Sequence, residues 1–585
     1  AFLQDVNMTD ADGNLRNGTV SGWAWVALAA VIAAGAAARA WLLWSTSLIP
    51  GMNGGYYLIQ SRALLEHGTL GIPDLPLTFL VQASFAKLLQ LATVRSSEDC
   101  IFLSVRLCDA ALPPLAAVPV FLLGRTWCAR AGRGVWPAVA AAALVALGMP
   151  ALSMVGDFEK NSLGMVWLAA LVVALHGWMA RRSRGRAAAV VAFLGLCGLT
   201  HIGVFGAALT LTALTWGADL ALLPGKDGLK TLHDIGVATV AGAAMVALVA
   251  GIVLWKFDPA RIQRLAGALS SPLEFLQTGG HNAGPGHDPG AFAPPRGAAG
   301  RLRPPPGMPG FADRRRMGPP GGGMHPGDLS SWPFFLAAAG ALVLPLRRRR
   351  QMPDADRAVT IGCAVTLMIL TGPWVGGDVR MRLQLIAMIP AAFAAAYVLA
   401  NLPGRWTAPA CSAALVALVA ATSAPLVKRG GHPAISADAL AELRALARYV
   451  AQPDRTLVVA RHGLEWWTAW TLHTRVAQAR AVRAADWSKY GAVYFIREKG
   501  GDMRGANRPE GNGPMGGPVG APPMMGAAIP DGAEILHDGV HFTLARVGAP
   551  PEGQARSFGE MKPPDQPPPG QGATSRSQGA EGLSQ

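Results

Sequence analysis

Residues 156–180 read GDFEKNSLGMVWLAALVVALHGWMA. Two acids, Asp157 and Glu159, stand just ahead of an apolar run close to the roughly 20 residues that cross a bilayer as a helix. The chain is therefore read as a membrane protein, with the two acids at the boundary between membrane and water. Acids there cost little when solvated, so a plain solvated turn is one reading. The other is a carboxylate pair holding a divalent cation, Mg2+ or Mn2+. These hard ions take oxygen ligands and often bridge to substrate phosphates.

Similar apolar runs extend in both directions. Together with 162–180 they lie at 22–47, 101–123, 134–155, 187–201, 203–223, 233–255, 332–346, 358–376, 383–402 and 408–427, eleven in all. The composition agrees: 51% of the 585 residues are hydrophobic and 15% are charged. An ordinary soluble domain carries about 25% charged residues. The 70 Gly and 45 Pro are too many for spanning helices alone, and they concentrate in tracts that cannot bury a core. These are an outer loop at 277–330, an insert at 501–529 and a tail at 549–585, all expected to be disordered. The segment 1–21 is polar and lacks a signal-peptide pattern. Cys100, Cys108, Cys128, Cys197, Cys363 and Cys411 form no CxxC pair and read as small buried hydrophobes.

The net charge of +15 need not indicate nucleic acid. The basic residues cluster in short loops: Arg125, Arg130 and Arg133; Arg181, Arg182, Arg184 and Arg186; Lys226 and Lys230; Arg347 to Arg350; and Arg405. With eleven spans all five clusters fall on one side, which the positive-inside rule makes cytoplasmic. That arrangement requires 187–223 to be split in two, and it leaves PLTFLVQASFAKLLQLA (76–92) as an interfacial helix on the outer face. No nucleic-acid partner is expected.

The same topology places residues 48–100, the acidic loop, Arg380 and Arg382, and everything after 428 on the outer side. In the first outer loop, Tyr57, Arg62 and Glu66 share one face of a helix that Gly68 would stop. They make either an amphipathic surface helix or a wall of a site. His201, in GLTHIGVFG, is a packing histidine or an intramembrane functional group. Arg380 and Arg382 suit a phosphate, or an anionic lipid headgroup. Beyond the membrane region, strands are expected at 456–460 and 492–498, a helix at 463–475, and a hairpin around Asp538-Gly539. The fold class is thus a multi-pass α-helical membrane protein of about eleven spans (22–430) with a small C-terminal α/β domain outside the membrane (431–548).

The order of these features resembles the GT-C superfamily of integral-membrane glycosyltransferases. It comprises a first span ending in Arg39 (ARAWLLW), an outer loop with the Tyr56-Tyr57 helix and LLEHG, an apolar segment beginning with Pro76, and a second acidic loop. GDFEKNSLGMVWL is most similar to the second acidic motif of the oligosaccharyltransferase branch, and protein O-mannosyltransferases share the general plan. The resemblance covers roughly residues 1–430 in organisation. It implies transfer of a sugar or glycan from a polyprenyl-phosphate-linked donor to a protein or glycolipid acceptor, on the outer face of the cytoplasmic membrane. On this reading Asp157, Glu159 and Asp74 would carry the chemistry, with Asp157 and Glu159 as the metal ligands. Asn53, Tyr56, Tyr57, Arg62, His201, Arg380 and Arg382 would bind substrates.

Two departures qualify that implication. The family usually has an acid a few residues before the Tyr pair, whereas GMNGGYY offers Asn53, which can ligate through its carbonyl oxygen but cannot act as a base. Either Asp74 in GIPDLP supplies the lost carboxylate, or the site is altered. HGLEWWTAW lacks the Asp of the family's acceptor motif, and Trp466-Trp467 is read as core packing. The alternative function is a non-catalytic GT-C-like envelope protein or a transporter. A transporter would place facing polar groups near the bilayer midplane.

Overall fold

The computed structural model describes residues 22–222, 332–347, 353–372, 377–478, 490–499 and 532–548, with isolated positions among 235–251 and residues 375, 529 and 530. The polar start 1–21, the outer loop 277–330, the tail 549–585, nearly all of the insert 501–529 and most of the run 233–255 lie outside the described residues. The chain divides into two compact units, Ala1–Ala434 and Ile435–Gln585.

The first unit is helical. Its elements are α1 (Gly22–Trp44), α2 (Gly54–His67), α3 (Leu77–Ala92), α4 (Ser97–Ala111), α5 (Ala117–Arg130), α6 (Trp136–Leu147), α7 (Met149–Leu152), α8 (Glu159–Ala180), α9 (Arg184–Thr200), α10 (Ile202–Leu222), α11 (Trp332–Arg347), α12 (Asp354–Thr371), α13 (Gly377–Ala400) and α14 (Thr407–Arg429). Among the described residues six helices are long and apolar enough to cross a membrane: Gly22–Trp44, Ser97–Arg130, Glu159–Ala180, Ile202–Ala221, Arg380–Ala400 and Thr407–Arg429. The chain is thus a multi-pass membrane protein; the count of eleven is not confirmed, since one expected run, 233–255, lies mostly outside the described residues. Several of the other helices are short, such as α11 with 16 residues. Another, α12, opens with the charged triplet Asp354, Asp356 and Arg357.

Local chemistry sets the breaks. Pro113 and Pro114 turn the junction of α4 and α5 into a short 3-10 segment, since proline cannot donate to the helical ladder. His201 adopts an extended backbone between α9 and α10, so 187–223 forms two helices. Close helix approach relies on small residues, as is usual for membrane helices. A Cβ on Gly35 of α1 would come within 2.9 Å of the Ala146 carbonyl oxygen on α6.

Tryptophans mark two levels along α1. Trp23 and Trp25 are exposed near its start, and Trp41 and Trp44 near its end. The 18 residues between Trp23 and Trp41 rise about 27 Å, close to the hydrocarbon thickness of a bilayer. Exposed tryptophans at two such levels are what a membrane protein places in its interfacial belts. The Trp136 ring lies 5.2 Å from that of Trp23 at a tilt of 39°, and Arg125 lies over Trp25, which puts one of the basic loop residues at the Trp23 level. Other basic loops are tied together by side-chain contacts. Arg130 pairs with Asp356, Arg133 donates to the carbonyls of Leu402 and Gly404, and Arg182 pairs with Asp219.

The second unit holds α15 (Ala437–Ala445), β1 (Thr456–Val459), α16 (Leu464–Leu472), β2 (Arg475–Ala477), β3 (Ala492–Glu498), β4 (Glu534–Asp538) and β5 (Phe542–Val547). The sheet order is β2-β1-β3-β5-β4. The pairs β1–β2 and β1–β3 are parallel, and β3–β5 and β4–β5 are antiparallel. Leu457, Val459, Val493, Phe495 and Val547 form one face of its core. Trp467 is fully buried, and Trp466 is half-buried with its ring edge-on to His462.

Candidate active site

The site is built where two loops press together. Gly51 and Gly156 both have positive φ, at 86° and 72°. A Cβ on Gly51 would lie 2.8 Å from the Cβ of Asp157, and one on Gly156 would collide with the Pro50 carbonyl oxygen. Only glycine satisfies both the backbone angle and the contact at these positions. The end of α14 secures the same loop. Gly51 N donates to His432 O at 2.9 Å, and Gly431 N donates to Ser45 Oγ at 2.7 Å.

Beneath the loops lies a buried ion pair. Arg39, 1% exposed, pairs with the Asp109 carboxylate on α4 and donates to Asp109 O at 2.6 Å and Ala151 O at 2.7 Å. It also reaches Ser162 Oγ on α8 at 3.3 Å. The other Asp109 oxygen accepts from Gly156 N at 2.9 Å. A buried charge is tolerated only when paired and hydrogen-bonded, and here the pair also fixes the backbone that carries Asp157.

On this base the polar side chains converge. Asp157 Oδ1 accepts from Asn53 N at 3.1 Å and from Asn53 Nδ2 at 2.7 Å. The Tyr57 hydroxyl donates to Asp157 O at 3.3 Å. Burial pushes the Tyr57 phenol well above its ordinary range, and the Glu159 and Asp157 carboxylates push it further. Tyr57 therefore remains a protonated donor near neutral pH. Asp74, itself buried, accepts from the Tyr56 hydroxyl and from Lys160 Nζ, and its other oxygen accepts from Leu75 N at 2.7 Å. Gln60 clamps Ile72 with paired bonds of 2.7 and 3.0 Å, holding the Asp74 loop against α2.

Glu159 faces another way. Its Oε2 accepts from Gln82 on α3, and Gln82 Oε1 accepts from Ser61 Oγ at 3.2 Å. Glu159 Oε1 and Thr78 Oγ1 are buried without a hydrogen-bond partner. Both residues line a cavity of about 10 Å3 with Gln82, Cys108 and Asp109. That volume sits at the lower limit for one water molecule and is far too small for a sugar.

Of the residues singled out from the sequence, Asn53, Tyr56, Tyr57, Asp74, Asp157 and Glu159 belong to this one cluster. Arg382 lies with its guanidinium 5.8 Å from the Phe158 ring, between the two acids of the motif in sequence. Arg380, two residues earlier on α13, is half-buried. Arg62 is drawn toward Glu98 on α4 at 3.8 Å and so braces α2. His201 Nδ1 accepts from Gly203 N at 3.1 Å at the α9–α10 break. Three members of the cluster were not picked from the sequence: Lys160, Gln82 and Asp109. Each carried a signal. Lys160 adjoins the two acids, Gln82 is polar within an apolar helix, and Asp109 is an acid inside an apolar run, which by default marks function or a buried partner.

The expected ion between Asp157 and Glu159 can be tested against these donors. Among the described residues no three His, Cys, Asp or Glu side chains come together as an ion cage. The donor set does not fit a resident Mg2+ or Mn2+, because the two carboxylates take different partners. Asp157 turns to Asn53 and Glu159 to Gln82.

No protein-family model and no curated protein matches the chain. Solved structures do. The oligosaccharyltransferase of Archaeoglobus fulgidus in the apo form matches with a TM-score of 0.51 at 15% identity, over 83% of this chain and 70% of that one. ArnT from Cupriavidus metallidurans bound to undecaprenyl phosphate matches at 0.46 and 12% identity, over 91% of this chain and 100% of that one. The mycobacterial arabinofuranosyltransferase AftD matches at 0.42 and 17% identity, over 81% of this chain and 35% of that one. With its helical bundle, its folded first loop and its acidic second loop, the chain carries the GT-C fold of the integral-membrane glycosyltransferases.

Proposed function

We propose that the chain is a membrane glycosyltransferase that moves a sugar or glycan from a polyprenyl-phosphate-linked donor to a protein or glycolipid acceptor, on the outer face of the cytoplasmic membrane. The observation that carries this reading is the closure of the first loop on the acidic loop. It holds Asp157 against Asn53 and Tyr57, within the fold of an oligosaccharyltransferase. The lipid-linked donor follows from the motif resemblance.

The reaction is displacement at the anomeric carbon by an acceptor hydroxyl or amide, with the carrier phosphate leaving. Asp157 is half-buried, and the hydrogen bonds described at its carboxylate fall on Oδ1. It accepts the proton of the incoming nucleophile, a role worth about 10² to 10⁴ in rate. Asp74 is already bonded by Tyr56 and Lys160, and it orients them. Arg382, exposed at the rim beside Phe158, faces the charge that develops on the leaving phosphate, with Arg380 on the same turn. The Tyr57 phenol supplies a neutral donor. Asp157→Ala and Glu159→Ala, assayed for transfer in membranes, test the proposal. Both should lose transfer, and undiminished transfer by both overturns it.

Asn53, standing where an acid is usual, favours the non-catalytic alternative. On that reading wild-type membranes would transfer no sugar from any polyprenyl-linked donor.

A further inference from the structure

The donor set that fails to build an ion cage is itself informative. Three carboxylates, Asp74, Asp157 and Glu159, stand around Tyr56 and Tyr57. Like charges so placed are stabilised by a positive charge among them. At least one oxygen of each of these acids is already taken by a protein group. Asn53 turns two N–H donors, its backbone N and its Nδ2, to Asp157 Oδ1. A shared ion would need an oxygen there instead. Glu159 Oε2 is taken by the Gln82 amide. The carboxylate of Asp74, the one acid that might stand in for Asn53, holds the ammonium of Lys160. That ammonium also lies 5.3 Å from the centre of the Tyr56 ring and 5.8 Å from that of Phe79. The Lys160 side chain is 17% exposed. A lysine so enclosed by aromatic faces and a carboxylate is a fixed charge, because its long stem cannot carry the head back to water without losing both contacts.

We propose that Lys160 supplies the positive charge among these carboxylates that a divalent ion would otherwise supply, so that the site works with no bound metal. The inference rests on the glycosyltransferase reading for its activity, but not for its metal chemistry. Lys160 is a positioning residue. It neutralises Asp74, keeps the Tyr56 hydroxyl and the first loop in place, and leaves Asp157 free of an ion.

The test uses the full-length protein. Transfer by membranes stripped of metal with EDTA should equal that of untreated membranes. Lys160→Met should lower transfer by about 10²-fold, the usual effect of losing one preorganised electrostatic group, and Lys160→Arg should restore part of it. Mn2+ titration of the purified protein, followed by electron paramagnetic resonance, supplies a readout independent of activity. The wild type should bind no stoichiometric Mn2+, and Lys160→Gln should gain affinity as Asp74 is released. Stoichiometric Mn2+ on the wild type that is lost in Asp157→Asn would overturn the inference, as would EDTA inhibition reversed by Mn2+. If the wild type transfers nothing, the glycosyltransferase reading fails. The Mn2+ titration then still decides the metal question by the same two outcomes.

Discussion

Both ends of α8 carry buried acids, but the two sets are finished differently. Near its end, His176 Nε2 lies 2.7 Å from Asp356, which also pairs with Arg130. Asp219 is buried on α10 and pairs with Arg182 at 2.6 Å. These carboxylates meet full cationic partners and join α5, α8, α10 and α12. At the start of α8, about 25 Å away along the helix, the carboxylates of Asp157 and Glu159 meet neutral amides, of Asn53 and Gln82. One Glu159 oxygen there has no partner at all. A structural staple satisfies its charges, because an unpaired buried charge costs several kcal/mol. A reacting site leaves part of its hydrogen-bonding capacity for a substrate. The contrast assigns structure to one end and chemistry to the other, and substitutions can break or sharpen it.

The largest effect is expected from the ion pair beneath the site. Asp109→Ala strands the buried Arg39 guanidinium and should cost about 3–5 kcal/mol, seen as a large fall in detergent-solubilised melting temperature. Gly156→Ala comes next. The positive φ and the Pro50 carbonyl leave no room for a methyl group, so about 1–3 kcal/mol of strain should appear and the two loops should part. This variant should lose transfer out of proportion to its stability.

At the other end, Asp356→Asn should lower stability by about 1–3 kcal/mol. Transfer per folded molecule should not change, and a matching loss of transfer would erase the distinction between the two ends.

The smallest effect lies in the second unit. Glu442 accepts from His541 N at 2.8 Å and Phe542 N at 2.9 Å, and His537 Nε2 lies at 3.2 Å. Burial alone would raise its carboxyl, but these bonds outweigh it and hold the group below its ordinary value of 4.5. A depressed carboxylate contributes stability above its unfolded value and loses it as pH falls through the folded one. The wild type should therefore lose stability as pH falls below about 4.5, and Glu442→Gln should flatten that acid limb of the melting curve.

Much of this arrangement was legible in the residues. Apolar runs located most of the helices, because a bilayer imposes a length on them. GDFEKN and GMNGGYY named loops that the structure brings together. The span count was less secure, since short or charged-ended helices such as α11 and α12 blur the criterion of length and composition. Side-chain partners were not legible, because they depend on which helices pack together. The pairing of Arg39 with Asp109 crosses 70 positions and that of Lys160 with Asp74 crosses 86. Arg62, a substrate ligand by the resemblance, stands 3.8 Å from Glu98, a neighbour that only the packing of α2 on α4 reveals. Strand β2 was missed because three residues carry no readable alternation.

The central claim is that chemistry resides at the start of α8. Its most direct test is sugar transfer from a polyprenyl-phosphate-linked donor by membranes carrying equal amounts of wild type, Asp157→Asn and Asp356→Asn. The account predicts transfer by the wild type and Asp356→Asn alike, with a loss of about 10² to 10⁴ for Asp157→Asn. Equal transfer by Asp157→Asn and the wild type would contradict it.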